Sequence, residues 1–185
     1  MSTLIATHRA YVGIGSNLGD PVTQVLSALE ELAGVRGVRM RQCSSLYRTA
    51  PVGYAAQPDF INAVAEIRTS LAPLALLDAL QRIESRHGRI REFRNSPRTL
   101  DLDILLYGDL RLAGDDLVLP HPRAHERAFV LRPLLEIAPR CVMPGVGPIR
   151  DWIGRCQHQP TTRLALNRGG PLRGPLTIKL DYVQG

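Results

Sequence analysis

The chain predicts an α+β fold, an antiparallel sheet covered by helices, and three observations carry that prediction. Its periodic segments run in the order β, α, β, β, α, β with an extra hairpin and helix. Strand-like and helix-like patterns are segregated rather than strictly alternating, which suits an antiparallel sheet better than a parallel one. Neither an internal repeat nor a dividing linker interrupts the 185 residues, so the expectation is one domain over 1–155 followed by a C-terminal tail, 156–185.

Residues 10 to 17, AYVGIGSN, place apolar residues around Gly13 and Gly15 and suit a short central strand that leaves through a tight turn. Asp20 then stands as an N-cap with Pro21 at the first helical position. Val22, Val25, Leu26, Leu29 and Leu32 recur at helical spacing until Gly34. The alternation in VRGVRMRQCSSLYRT, residues 35 to 49, predicts one long strand. FINAVAEIRTS, residues 60 to 70, predicts another, with the loop APVGYAAQPD between them. From Pro73, Leu74, Leu77, Leu80, Ile83 and His87 repeat every three or four residues, and Gly88 is placed to end the helix. Gln81 and Glu84 share a different face of it. An arginine-rich loop over 89–98 leads into a strand within SPRTLDLDILLYGD. LVLPHPRAHERAFVLRPLLEIAP, residues 117 to 139, reads as a short strand, a proline-punctuated turn and a helix that ends before Pro139. Beyond Cys156 only LTIKLDYV, 176 to 183, alternates, so the tail is either loose or an added edge strand.

A content of 44% apolar and 22% charged residues is that of an ordinary globular protein rather than a disordered one. No run approaches the roughly 18 to 20 apolar residues that span a bilayer, and the first residues lack a basic segment followed by a long apolar one. The expectation is a cytoplasmic protein without membrane partners. Cys43, Cys141 and Cys156 are odd in number and have no CxxC spacing, so they read as reduced thiols. The formal charge is +6, and 22 of the 23 basic residues are arginine, Lys179 being the only lysine. Arg82, Arg86, Arg89, Arg91, Arg94 and Arg98 cluster just before the aspartate-bearing strand, and a guanidinium fork suits phosphate. Nucleic acid is disfavoured as the anion, because aromatic residues are only 5% and no recognised nucleic-acid motif is present.

In a strand, side chains two apart share a face, so Asp101 and Asp103 leave the core together while Leu100, Leu102 and Ile104 enter it. Two carboxylates that close favour protonation unless a cation relieves them. Two explanations stand at this point: a neighbouring arginine beside one of them, or a divalent ion. An all-oxygen set with few protein ligands favours Mg²⁺, which keeps several waters and completes its shell with substrate phosphates. A two-metal phosphodiesterase would share this pair. GIGSN is not a phosphate-binding P-loop, because GxxxxGK[ST] is absent.

YVGIGSNLGD, SSLYRTAPVG, QPDFINAV, PRTLDLDILLYGD and LPHPRAHERAFVLRPLLEIAP, in that order between about residues 10 and 154, resemble the 6-hydroxymethyl-7,8-dihydropterin pyrophosphokinase family. The resemblance implies a ferredoxin-like three-layer α/β/α sandwich. It further implies a monomer that uses ATP with two Mg²⁺ ions to transfer pyrophosphate to the pterin hydroxymethyl group, releasing AMP in folate biosynthesis. By that resemblance Asp101 and Asp103 are the Mg²⁺ ligands, and Arg89 and Arg98 assist the transfer. Gln81, Glu84, Arg91, Arg98, Ile104, His121 and Arg127 match positions of the ATP site. Thr49, Ala50, Pro51 and Val52 match one part of the pterin pocket, and Phe60, Asn62 and Phe129 the rest. A flat heteroaromatic ring between Phe60 and Phe129, with the Asn62 amide at its edge, is chemically sensible. The sequence departs from the family where Asn95 and Ser96 replace a tryptophan often found in the arginine loop, and where Asp116 stands in place of an arginine. Arg123 is a candidate to supply the missing cation.

Overall fold

The computed structural model describes residues 6–51, 56–88 and 99–164, together with the backbone of 172–173. The elements in chain order are β1 (His8–Ser16), α1 (Pro21–Ala33), β2 (Val38–Cys43), β3 (Tyr47–Thr49), β4 (Phe60–Thr69), α2 (Pro73–Arg86), β5 (Asp101–Tyr107), β6 (Leu112–Ala113), β7 (Val118–Leu119), α3 (Ala128–Ile137), β8 (Val142–Met143), β9 (Gly147–Pro148), β10 (Thr161–Arg163) and β11 (Leu172–Arg173).

The main sheet is antiparallel throughout and runs β10-β3-β4-β1-β5, with β2 pairing the other end of β4 and β11 pairing β2. Helices cover both faces. Ala10, Val12 and Ile14 of β1 meet Leu29 and Leu32 of α1 and Leu80 and Ile83 of α2 in one buried cluster. Tyr11, Val64, Leu105 and Leu106 meet Leu131 and Leu134 of α3 in the other. The mainly antiparallel α+β architecture that the sequence predicts is the one observed.

Local chemistry explains the helix ends. Asp20 Oδ1 accepts the Thr23 N–H at 3.2 Å and Asp20 Oδ2 accepts the Thr23 hydroxyl at 2.6 Å, so a side chain satisfies a donor that α1 itself cannot. Those two bonds hold the Asp20 carboxyl below its ordinary pKa. Pro73 starts α2, and Gly88 lies beyond its end at φ +70°, a conformation that favours glycine.

The long strand expected over residues 35–49 is in fact two. Cys43 pairs with Ala65 and Tyr47 with Asn62, which leaves one residue too many on the β2–β3 side. Ser44 causes the break: its backbone N–H donates to the Val64 carbonyl at 2.9 Å, and its hydroxyl accepts the Val64 N–H at 3.0 Å in place of a strand carbonyl. Alternation in sequence cannot register a side chain that substitutes for backbone. The segment after Cys156 contributes β10, three residues that pair with β3, and Leu164 N–H continues the ladder to the Leu46 carbonyl at 2.8 Å. LTIKLDYV lies outside the described residues.

Candidate active site

β1 lies between β4 and the edge strand β5, and its odd-numbered residues face the α3 side. Gly13 lies opposite Val64 on β4 and Asp103 on β5; Gly15 lies opposite Asn62 and Asp101. Two glycines therefore form a floor with no side chains between the polar groups on either flank. A Cβ built on Gly15 would stand 2.9 Å from Asn62 Oδ1, and one on Gly13 would stand 3.3 Å from Leu105. Strands are about 4.8 Å apart, so Asn62 and Asp101 anchor opposite ends of a trough roughly 10 Å across.

Asp101 and Asp103 are half-buried and line this cleft, while Leu102 and Ile104 are buried beneath the sheet. The pairing between β1 and β5 slips between Tyr11/Val12, so Leu105 is the extra residue of a bulge and turns into the cleft beside the carboxylates. Hydrogen bonds hold the start of β5. The Ser16 hydroxyl donates to the Thr99 carbonyl at 2.6 Å, and the Glu84 carboxylate, 3% exposed, accepts the Leu102 N–H at 2.7 Å. Both flank Asp101, so the carboxylates project from a strand clamped on either side of its first residue.

The opposite wall is built from β3, β4 and α3. Thr49 pairs with Phe60 and Tyr47 with Asn62 in the ladder. Asn62, 6% exposed, donates through Nδ2 to Thr49 Oγ1 at 2.8 Å, which sets the amide so that its oxygen lies over Gly15. Phe60 and Phe129 both line the cleft with Ala50, and the Arg127 guanidinium lies 5.5 Å from the centre of the Phe129 ring. Asn17, 1% exposed, donates to Gln57 Oε1 at 2.9 Å and to the Pro58 carbonyl at 3.1 Å, tying the loop before β4 to the end of β1.

His121 stands at the carboxylate end. Its N–H donates to the Leu105 carbonyl at 2.9 Å, and its Nδ1 accepts the Arg123 N–H at 3.2 Å, so the ring proton of the neutral form sits on Nε2. Nε2 is 3.9 Å from Asp103 Oδ2. Burial, reinforced by the positive charge of Arg127, pushes the His121 pKa down to about 4, which makes this contact one between a neutral imidazole and a carboxylate near pH 7. At 3.9 Å it is beyond hydrogen-bonding distance.

The fold thus gathers Thr49, Ala50, Phe60, Asn62, Asp101, Asp103, Arg127 and Phe129 around one cleft, with Arg123 at its rim. Pro51, two residues past the end of β3, is half-buried. Gln81, Glu84 and Ile104 lie elsewhere: Gln81 is exposed on α2, Glu84 holds β5, and Ile104 is buried in the cluster shared with α1 and α2. Asp116 is exposed. Val52, Arg89, Arg91, Asn95, Ser96 and Arg98 lie outside the described residues. In the sequence alone Gly13 and Gly15 read as a turn signal. Their spacing of two, the strand period, was the available hint of a bare floor. Ser16, Asn17 and Leu105 carried no signal, because their roles depend on partners distant in the chain.

The model of the 7,8-dihydro-6-hydroxymethylpterin-pyrophosphokinase family matches residues 11–139. A 2-amino-4-hydroxy-6-hydroxymethyldihydropteridine pyrophosphokinase of Haemophilus influenzae is 48% identical over 135 residues, covering 73% of this chain and 84% of that protein. The protein of the same name from Pseudomonas aeruginosa is 44% identical and covers 84% of this chain and 96% of its own. A folic acid synthesis protein of Schizosaccharomyces pombe is 44% identical over 73% of this chain, which spans 18% of that longer protein. Among solved structures, Plasmodium falciparum HPPK-DHPS with pterin and p-hydroxybenzoate superposes with a TM-score of 0.64 at 16% identity. That likeness covers 84% of this chain and 42% of the other, and it speaks to the fold alone.

Proposed function

Because the chain belongs to the 7,8-dihydro-6-hydroxymethylpterin-pyrophosphokinase family, we propose that it transfers pyrophosphate from ATP to the hydroxymethyl group of 6-hydroxymethyl-7,8-dihydropterin, giving AMP and the pterin diphosphate in folate biosynthesis. The observation that carries this reading is the row Asn62, Gly15, Asp101 across three neighbouring strands. A hydrogen-bonding amide fixed at one end and acidic oxygens at the other, separated by a floor without side chains, suit a flat ring whose reactive arm points toward a phosphate chain.

Within that reading Phe60 and Phe129 offer aromatic faces to the pterin, and the Asn62 amide pairs with its polar edge. Thr49 fixes which way that amide points. Arg127 lines the cleft, and neutral His121, an N–H donor, stands 3.9 Å from Asp103 Oδ2, so both are available to negative phosphate oxygens near the carboxylates. Gln81, Glu84 and Ile104 mark the flank of β5 assigned by family resemblance to the nucleotide. Arg89, Arg91 and Arg98 are assigned by the same resemblance to its phosphates.

Asp101 and Asp103 fit a magnesium site: both are carboxylates, both face the cleft from one strand, and the remaining positions of an octahedron fall to water and phosphate oxygens. Two Mg²⁺ ions, when bound there with ATP, would neutralise phosphate charge and polarise the transferred group. The chain's own contribution is positioning and electrostatics, since transfer of this kind needs the acceptor oxygen, phosphorus and leaving oxygen in line and requires no covalent intermediate.

No helix among the described residues is long and apolar enough to cross a membrane. The proposed enzyme acts as a cytoplasmic monomer. Incubation with ATP, Mg²⁺ and 6-hydroxymethyl-7,8-dihydropterin should release AMP one for one with pterin diphosphate. Release of ADP, or no turnover, would refute the assignment.

A further inference from the structure

The residues beyond 139 lie outside the family match, yet one of their side chains reaches the wall of the cleft. α3 begins without a cap of its own. Its N-cap residue is Arg127, at φ −121° and ψ 112°, and a guanidinium can only donate, so it cannot serve the unpaired N–H groups of the first turn. Gln159 takes over that role from 31 residues away: its Oε1 accepts the Ala128 N–H at 2.9 Å. Its Nε2 donates to the Glu126 carbonyl, also at 2.9 Å. One amide thereby spans the peptide groups on both sides of Arg127 and fixes the backbone from which Arg127 and Phe129 project.

Gln159 is itself held in place. Its N–H donates to the carbonyl of Cys156, which is 2% exposed in the cluster under α3. Two residues later β10 begins, with Thr161 opposite Thr49 in the ladder. Arg163 Nε donates to Ser45 Oγ at 2.8 Å, and its terminal nitrogen lies 3.2 Å from Glu136 on α3. The segment therefore joins the two pieces of chain that form the far wall, the end of β3 and the start of α3.

We propose that Gln159 is a positioning residue for the pterin subsite, setting the orientation of Arg127 and Phe129 through its bridge across the entry to α3; this rests on the reading of the cleft given above. It assigns to the C-terminal segment a share in substrate recognition. Losing a cap of this kind corresponds to about a twofold to thirtyfold change in an equilibrium.

The test uses the full chain with Gln159→Ala and Gln159→Glu. Gln159→Ala should raise KM for the pterin within that range, with a smaller change in kcat. Gln159→Glu keeps an acceptor for the Ala128 N–H but sets a carboxylate oxygen against the Glu126 carbonyl that Nε2 serves, so it should recover only part of the affinity. In the ligand-free protein, amide exchange at Ala128 should accelerate in Gln159→Ala while the core of α3 stays protected. Wild-type KM in Gln159→Ala overturns the proposal, and so does wild-type KM in Gln159→Glu, which would show that the bond to the Glu126 carbonyl contributes nothing. Unchanged exchange at Ala128 overturns the bridge whether or not the protein turns pterin over, whereas a wild-type protein that releases no AMP refutes only the reading of the cleft.

Discussion

Replacing Gly15 by alanine tests the geometry of the cleft floor. The added Cβ would lie 2.9 Å from Asn62 Oδ1, closer than such atoms come in practice. An unrestrained amide would rotate away, but Asn62 is 6% exposed and donates to Thr49 Oγ1 at 2.8 Å. To clear the methyl, the amide must turn and give up that bond, leaving polar atoms unpaired inside the protein. Such a loss costs about 1–3 kcal/mol, comparable with the cost of an extra methyl in a packed site. For a domain of this size each kcal/mol lowers Tm by roughly 2–4 °C, so a fall of about 2–12 °C is expected. The functional effect should exceed the thermal one in specificity, because the displaced amide is the group proposed to read the pterin edge. In AMP-release kinetics KM for the pterin should rise about tenfold or more, with KM for ATP little changed. Gly15→Ala combined with Asn62→Ala should be much less than additive. A wild-type pterin KM in Gly15→Ala would show that Asn62 does not read the ring, and full additivity would show that the two residues do not act on each other.

Asp101→Ala and Asp103→Ala should each abolish AMP release while the fold stays intact in far-ultraviolet circular dichroism; turnover in both would remove the magnesium assignment. Glu84→Ala strips the acceptor from the buried Leu102 N–H and should cost about 1–3 kcal/mol in urea unfolding. Glu84→Gln, which keeps an acceptor oxygen, should cost clearly less, and equal losses would mean that the carboxylate acts by charge alone. His121 has a folded pKa near 4 against an ordinary 6.5, so the unfolded chain binds its proton first. Its contribution is therefore complete above about pH 6.5 and lost as pH falls toward 4, on the order of 3 kcal/mol in all. His121→Gln should flatten that part of the stability profile of the metal-free protein, and an unchanged profile would contradict the burial argument.

The features legible in the sequence are those whose physics is local. Asp20, Pro21 and Gly34 bound α1 because caps act within one turn, and the expected helix matches Pro21–Ala33. Asp101 and Asp103 share the cleft because the strand period is two, whatever lies around them. The order of elements likewise sufficed for an antiparallel α+β fold.

What failed to show in sequence depends on partners far along the chain. Nothing in VRGVRMRQCSSLYRT marks the Ser44 hydroxyl as a substitute acceptor for Val64, 20 residues away. Nor does composition distinguish Glu84, whose carboxylate is buried against Leu102 across 18 residues, from an ordinary exposed helix glutamate. The sequence by itself determined which groups could bind a ring, a phosphate or a metal, because residue type and strand or helix period are short-range properties. Only the tertiary structure decided that Asn62, Gly15 and Asp101 stand in one row and that Gln159 holds the entry to α3, because strand register and side-chain bridges are set by packing between segments that the chain itself keeps far apart.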